Sequence, residues 1–277
     1  RAVRRSNPTT AIMKTLLGGP PPTLTREIVD AARRNKVLLE LLERAGDGPL
    51  LEAERRRLAA VVEVVEEVGK ALKNLNHIFI KLVKPIRYVP ADVDVLTDKP
   101  KTAARRLEAA GYKTVVEEPY TITLRKRDIN VDIYLHPSKA NIVFIRAERL
   151  MKEAQPARFH GAEITALSPP AEASLAAAHA VYKDGEVTLN DIFTIAKWSR
   201  GAGEICAQLK CEDAMASALA AAKQVLADGA PAPYKIPRPI WPLKTLWKAA
   251  ADPELAPSLL QAAKRLRDPR LAQQILR

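Results

Sequence analysis

At His77 the apolar residues change their period, and that change constrains the fold more than any other feature of the chain. Before it, Ile28, Ala32, Leu38, Leu39 and Leu42, and then Leu51, Leu58, Val62, Val65, Val68, Leu72 and Leu75, recur at the spacing of one helical face. Thr25 stands where a helix N-cap would, Glu27 falls in the first turn, and Gly46 and Gly48 interrupt the run. The segment is therefore expected to be an antiparallel helical hairpin with its apolar stripe in the core. From His77 onward HIFIKLV, DVDVL, KTVVEE, YTITLRKR and INVDIYL are short runs rich in β-branched residues, the pattern of strands. A helix predicted from Lys101 to Ala110 divides them and stops before Gly111.

The rest reads as helical. Ser168 with Pro169 opens a helix through Lys183, and Thr188 with Asp191 resembles a capping box for another through Trp198. A long alanine-rich helix is expected from about Glu204 to Ala227, followed by the stiff stretch PAPYKIPRPIWP and two or three short helices. The expected fold class is α+β, a small mixed sheet between an N-terminal helical hairpin and a C-terminal helical region. The divisions are a basic flexible arm (1–23), the hairpin (24–76), the α+β core (77–167), a helical region (168–229), and a proline-rich connector with C-terminal helices (230–277). The arm carries Arg1, Arg4, Arg5 and Lys14 and ends in Gly18 to Pro22, so it is expected to order only on a partner. No internal repeat is present.

A formal charge of +12 favours polyanions and nucleotides as partners. No apolar run approaches the roughly 20 residues of a membrane span, and the arginine-rich start lacks a secretory apolar block, so the cytoplasm is the expected compartment. Cys206 and Cys211 have neither zinc-site nor redox spacing and read as buried apolar residues. Sparse Asn, Gln, Met and Cys beside plentiful Lys, Arg and Glu is a thermophile composition.

Alternate residues of a strand share a face, so Asp92 and Asp94 point one way in DVDVL while Val93 and Val95 point the other. In INVDIYLH the polar face holds Asn130, Asp132, Tyr134 and His136. If the two strands align, three carboxylates converge with no cation on the same strand faces, an arrangement that is costly unless a divalent metal binds. Mg²⁺, or Mn²⁺, suits such hard oxygen ligands. The duller reading of each acid is a solvated polar face, and the test between them is whether all three meet beside an open cleft.

On these residues the stretch FIKLVKPIRYVPADVDVLTD, followed by INVDIYLH, resembles the polymerase-beta-like nucleotidyltransferase superfamily, closest to its small archaeal and toxin-type members. The resemblance spans roughly Ile78 to Leu135. It implies a sheet of nucleotidyltransferase type, metal ligation and catalysis by Asp92, Asp94 and Asp132, and a nucleoside triphosphate as substrate. It also implies that the helix bearing His179, Tyr182 and Lys183 approaches base or triphosphate. The chain departs from the superfamily in lacking a Gly-Ser or Gly-Gly step before the acid pair, where Lys81, Leu82, Val83, Lys84 and Pro85 stand instead. Either Lys81, Lys84 and Arg87 bind phosphate in its place or the nucleotide pocket has decayed, a solvated basic loop being the plainer account of the three.

His179 reads as a packed core histidine, and Trp198, Trp241, Trp247 and Tyr234 as packing rather than base-stacking residues. Arg125, Lys126, Arg127, Arg146, Arg149 and Lys152 could form a basic rim that steers a polyanion, or a plain solvated surface. Neither a Gly-x4-Gly-Lys loop nor a Gly-x-Gly-x-x-Gly step occurs, which argues against P-loop and Rossmann enzymes. Two readings follow: a metal-dependent nucleotidyltransferase acting on a hydroxyl of RNA, a small molecule or a protein, or a non-catalytic basic RNA-binding or ribonucleoprotein subunit on the same fold. The hairpin is also suited to docking a partner protein.

Overall fold

The structure, a computed structural model, describes residues 7–46, 48–237 and 240–265. Strands form where the two-residue period lies. In chain order they are β1 (His77–Ile80), β2 (Asp92–Thr97), β3 (Lys113–Glu117), β4 (Thr121–Lys126), β5 (Ile129–Tyr134), the short pair β6 (Ser138–Lys139) and β7 (Ile142–Val143), then β8 (Ala154–Phe159) and β9 (Ala162–Leu167). Seven of them make one sheet in the order β3-β4-β5-β2-β1-β9-β8. It is mixed: β2 runs parallel to β5 and β1 parallel to β9, the other pairs being antiparallel. A parallel neighbour needs a crossover, and β2 reaches β5 through a helix and the β3–β4 hairpin.

Val93, Val95, Val131 and Ile133 are fully buried, as the alternation requires. In the N-terminal part, α1 (Pro8–Leu16) is followed by α2 (Arg26–Arg34), α3 (Leu38–Ala45) and the long α4 (Gly48–Ala71). With α5 (Pro100–Ala109), α4 packs against the sheet at β2.

Two N-terminal expectations are corrected. Residues 8–16 of the supposed arm form α1, whose Ile12, Met13 and Leu16 are buried in the main core. Thr9 exchanges hydrogen bonds with Ala232, receiving the Ala232 N–H at 2.9 Å, and the Asn7 amide donates to the Gly229 carbonyl. Its partner is thus the chain itself; Arg1, Arg4 and Arg5 lie outside the described residues. The first arm of the hairpin is also two helices, because Lys36 adopts a left-handed backbone (φ 56°) that ends the α2 turn.

Beyond the sheet, α6 (Ala147–Met151) precedes α7 (Pro169–Ala178), which passes without a break into a π-helical segment, His179–Asp184. Next come β10 (Glu186–Val187), α8 (Leu189–Trp198) with its capping box at Thr188, α9 (Ala202–Leu209) and α10 (Glu212–Leu226). The single long helix expected from Glu204 is therefore two, separated at left-handed Lys210. Cys206 and Cys211 flank that break, both buried. Part of the proline-rich stretch forms β11 (Tyr234–Lys235), paired with β10, and α11 (Ile240–Ala251) and α12 (Ala256–Arg265) follow. No helix among the described residues is long and apolar enough to cross a membrane.

Candidate active site

Parallel pairing of β2 with β5 sets Asp94 directly beside Asp132, with Asp92 one pleat repeat away beside Asn130. One oxygen from each of Asp92, Asp94 and Asp132 lies within 4.8 Å of the others. The three acids predicted to share a face therefore do meet, and Asp92 and Asp94 line an open cleft of about 430 Å³. Asp132 instead faces a second hollow of about 390 Å³ with Thr121, Thr123 and Ser138.

Asp132 is held by two donors. Thr123, its register partner on β4, donates at 2.6 Å, and the Tyr134 hydroxyl donates at 3.3 Å. Tyr134 in turn accepts from the Lys183 ammonium at 3.3 Å. Burial first, then the surrounding carboxylates, push the Tyr134 phenol well above its ordinary range, so it stays a donor.

A cation that the strand faces alone do not reveal completes the cluster. Lys81 is the residue just past β1, whose Ile80 is registered against Asp94, and its ammonium stands 2.7 Å from Asp94 Oδ1. That ammonium is the charged partner of a carboxylate oxygen otherwise shut off from solvent. Lys81 is firmly seated. Its backbone is left-handed (φ 62°), its N–H donates to Glu172 at 3.1 Å, and its carbonyl accepts from the Tyr88 hydroxyl. The glycine-like conformation that the sequence denies to this loop is thus adopted by a lysine.

Electrostatically the acids divide. Burial works to raise Asp94, but Lys81 and Lys183 outweigh it and hold the carboxyl below its ordinary range. Asp92 is pushed up to about 6, by the charge of Asp94 first and by burial second. Three converging carboxylates, one of them reluctant to ionise beside its neighbour, are a hard-ligand set that fits a divalent ion of the Mg²⁺ or Mn²⁺ kind.

The other predicted phosphate ligands divide as well. Lys84 lines the cleft, but its ammonium is committed to Glu172 at 2.6 Å, both side chains being almost wholly buried. Arg87 is brought not to the acids but to Glu43, 3.0 Å away on the protein surface. Lys183 does reach the cluster, and the π-helical segment is what aims it there. Stacking at five-residue spacing also puts His179 Nδ1 3.2 Å from Asp184, while its Nε2 lies 3.5 Å from Lys81 Nζ. Burial, with Lys81 and Lys183 adding to it, pushes His179 down to about 4 against the pull of Asp184. It is the mostly buried histidine expected, packed edge-on to Phe144, but it also lines the cleft. Tyr182 points away, to Asp213.

The basic rim is largely neutralised: Lys126 and Arg127 pair with Glu67, Arg146 with Glu148, and Arg149 with Asp252 and Glu254. Trp247 is 74% exposed rather than packed, and the Trp241 side chain lies outside the described residues. Sequence reasoning missed Thr123, Glu172, Asp184, Arg34 and Lys36. The only available signal was that Thr123 shares the alternation of a strand destined to pair with β5.

No family model and no curated protein matches the chain. Similar solved structures include the solution structure of the antibiotic-resistance factor ANT(2'')-Ia, at 14% identity and a TM-score of 0.40, over 59% of this chain and 96% of that one. The crystal structure of ANT(2'')-Ia in complex with adenylyl-2''-tobramycin is similar at 13% identity and a TM-score of 0.36, over 58% and 98%. An antigenic nucleotidyltransferase-like protein from Paracoccidioides brasiliensis is similar at 11% identity and a TM-score of 0.36, over 63% and 91%.

Proposed function

We propose that the chain is a metal-dependent nucleotidyltransferase, moving a nucleoside monophosphate from a nucleoside triphosphate to a hydroxyl acceptor. The observation that carries this reading is the convergence of Asp92, Asp94 and Asp132, within 4.8 Å, where two hollows meet. A divalent ion held by these carboxylates would neutralise phosphate charge and acidify the attacking hydroxyl.

The protein's own contribution is positional. The cleft beside Asp92 and Asp94 is the basic one and suits the nucleotide, with Lys81 and Lys183 as its cations. The hollow beside Asp132, bounded by Thr121, Thr123 and Ser138, suits the acceptor hydroxyl. Thr123 and Tyr134 fix the orientation of Asp132 between the two. Phosphoryl transfer demands little covalent chemistry of a protein beyond such placement and charge.

One observation favours a second reading. Lys81 already serves Asp94 as an internal counter-ion, as a non-catalytic RNA-binding descendant of the fold would arrange it. The test supplies labelled nucleoside triphosphates with Mg²⁺ or Mn²⁺ and total RNA. Transfer lost in an Asp92→Asn, Asp94→Asn double variant, and in Asp132→Asn with nucleotide binding retained, supports the first reading. Transfer that survives these changes refutes it, and steep salt-dependent RNA binding without transfer favours the second.

A further inference from the structure

We infer that the N-terminal helices belong to the nucleotide site and that Arg34 and Lys36 form its phosphate-binding wall, in place of the absent glycine step. The inference rests on the nucleotidyltransferase reading and adds the residues that hold the triphosphate.

Both residues line the 430 Å³ cleft, together with Asp92, Asp94 and Lys183. Both are exposed and uncommitted. Arg34 has no carboxylate within ion-pair distance among the described residues, and Lys36 has only a longer-range attraction to Asp184. Their neighbours differ: Arg33 is paired with Asp30, and Arg57 with Glu54.

The turn that carries them is built into the core. Asn35, fully buried between the two, donates from its amide to the Ala31 carbonyl at 3.0 Å and the Ala232 carbonyl at 2.8 Å, and accepts the Leu189 N–H at 3.0 Å. Asn190, also buried, donates to the Lys36 carbonyl at 3.0 Å. Lys36 itself is left-handed, a conformation that costs a residue with a Cβ and is free to glycine. A lysine held there by buried hydrogen bonds, with its ammonium left free in a cleft, calls for a ligand. Lys81, likewise left-handed, lines the same cleft.

The occupant is a nucleoside triphosphate rather than a nucleic-acid strand. The cleft falls within the ~300–1,000 Å³ of small-ligand sites, and Arg34, Lys36, Lys81 and Lys183 all line that one volume, as a compact polyphosphate requires, instead of tracking an open groove.

The experiment is equilibrium binding of each of the four ribonucleoside triphosphates with Mg²⁺, by calorimetry, to the wild-type chain and to Lys36→Gly, Arg34→Ala and their combination. Lys36→Gly removes the charge while relaxing the backbone, so its melting temperature should equal or exceed that of the wild type. Each lost charge-assisted contact should weaken binding about tenfold or more, with a shallower salt dependence in the double variant. Tenfold or greater weakening in the folded double variant supports the wall. Wild-type binding and transfer with affinity unchanged in the double variant overturns this inference alone. A wild-type chain that binds none of the four triphosphates overturns both it and the reaction.

Discussion

Replacing an acid of the candidate site should make the metal-free protein more stable, and the sign and size follow from Asp92. Its carboxyl moves from 3.8 to about 6 on folding, a difference of roughly two units, set first by Asp94 and then by burial. At ~1.36 kcal/mol per unit this corresponds to about 3 kcal/mol. Because the folded pKa is the raised one, the folded state binds the proton more tightly. Stability is therefore complete below about pH 4 and is lost as pH rises from 4 to 6. Asp92→Asn keeps the shape and removes the charge. In EDTA the variant should gain about 2–3 kcal/mol at pH 8, allowing for the partial exposure of Asp92 and its attraction to Lys81, and nearly nothing at pH 4. For a chain of this length that is a rise of roughly 4–12 °C in melting temperature at pH 8. Circular-dichroism melts at pH 4, 6 and 8 measure it, and Mg²⁺ should then stabilise the wild type but hardly the variant. An Asn variant no more stable than wild type at pH 8, or equally stabilised at pH 4, would refute the reasoning.

Other outcomes follow from the same contacts. Lys84→Met should cost about 3–5 kcal/mol in urea denaturation by leaving Glu172 charged and buried, and adding Glu172→Gln should recover much of it; equal loss in single and double variants would argue against the ion pair. Ile12→Ala should cost about 2–5 kcal/mol if α1 is part of the core, whereas an unattached arm would show no change. Asn35→Ala strands the Leu189 N–H and leaves the Ala232 carbonyl only the long bond from Thr9, so it should lower stability by about 1–3 kcal/mol and weaken nucleotide binding at temperatures where the variant is still folded; unaltered melting would count against the anchored turn.

What the sequence made legible is what depends on local period. The alternation in DVDVL and INVDIY placed Asp92, Asp94 and Asp132 on common faces, and parallel registration of two strands then brought them together. What it hid depends on partners distant in the chain. Nothing near Ile12 signals that Ala232 will receive α1, so glycines and prolines behind a basic start looked like an arm. The break at Lys36 was invisible because its left-handed backbone is stabilised by Asn190, more than a hundred residues away. Lys81 was read as a phosphate ligand, yet its contact with Asp94 is a property of the β1–β2 register, which neither strand reveals alone.

The π-helical segment from His179 to Asp184 has a consequence for change by insertion and deletion. A π turn is an α-helix carrying one surplus residue, and each residue of an α-helix turns the chain by about 100°. Rewinding the segment as ordinary α-helix at its present length would swing Lys183 and Asp184 by up to about a quarter-turn from their present heading, while α7 and its packing stayed in place. The direction of these two side chains is thus stored in the wide winding itself, and a deletion of the surplus residue would keep Asp184 one turn beyond His179, whereas substitutions that tighten the winding would turn both side chains out of the cleft.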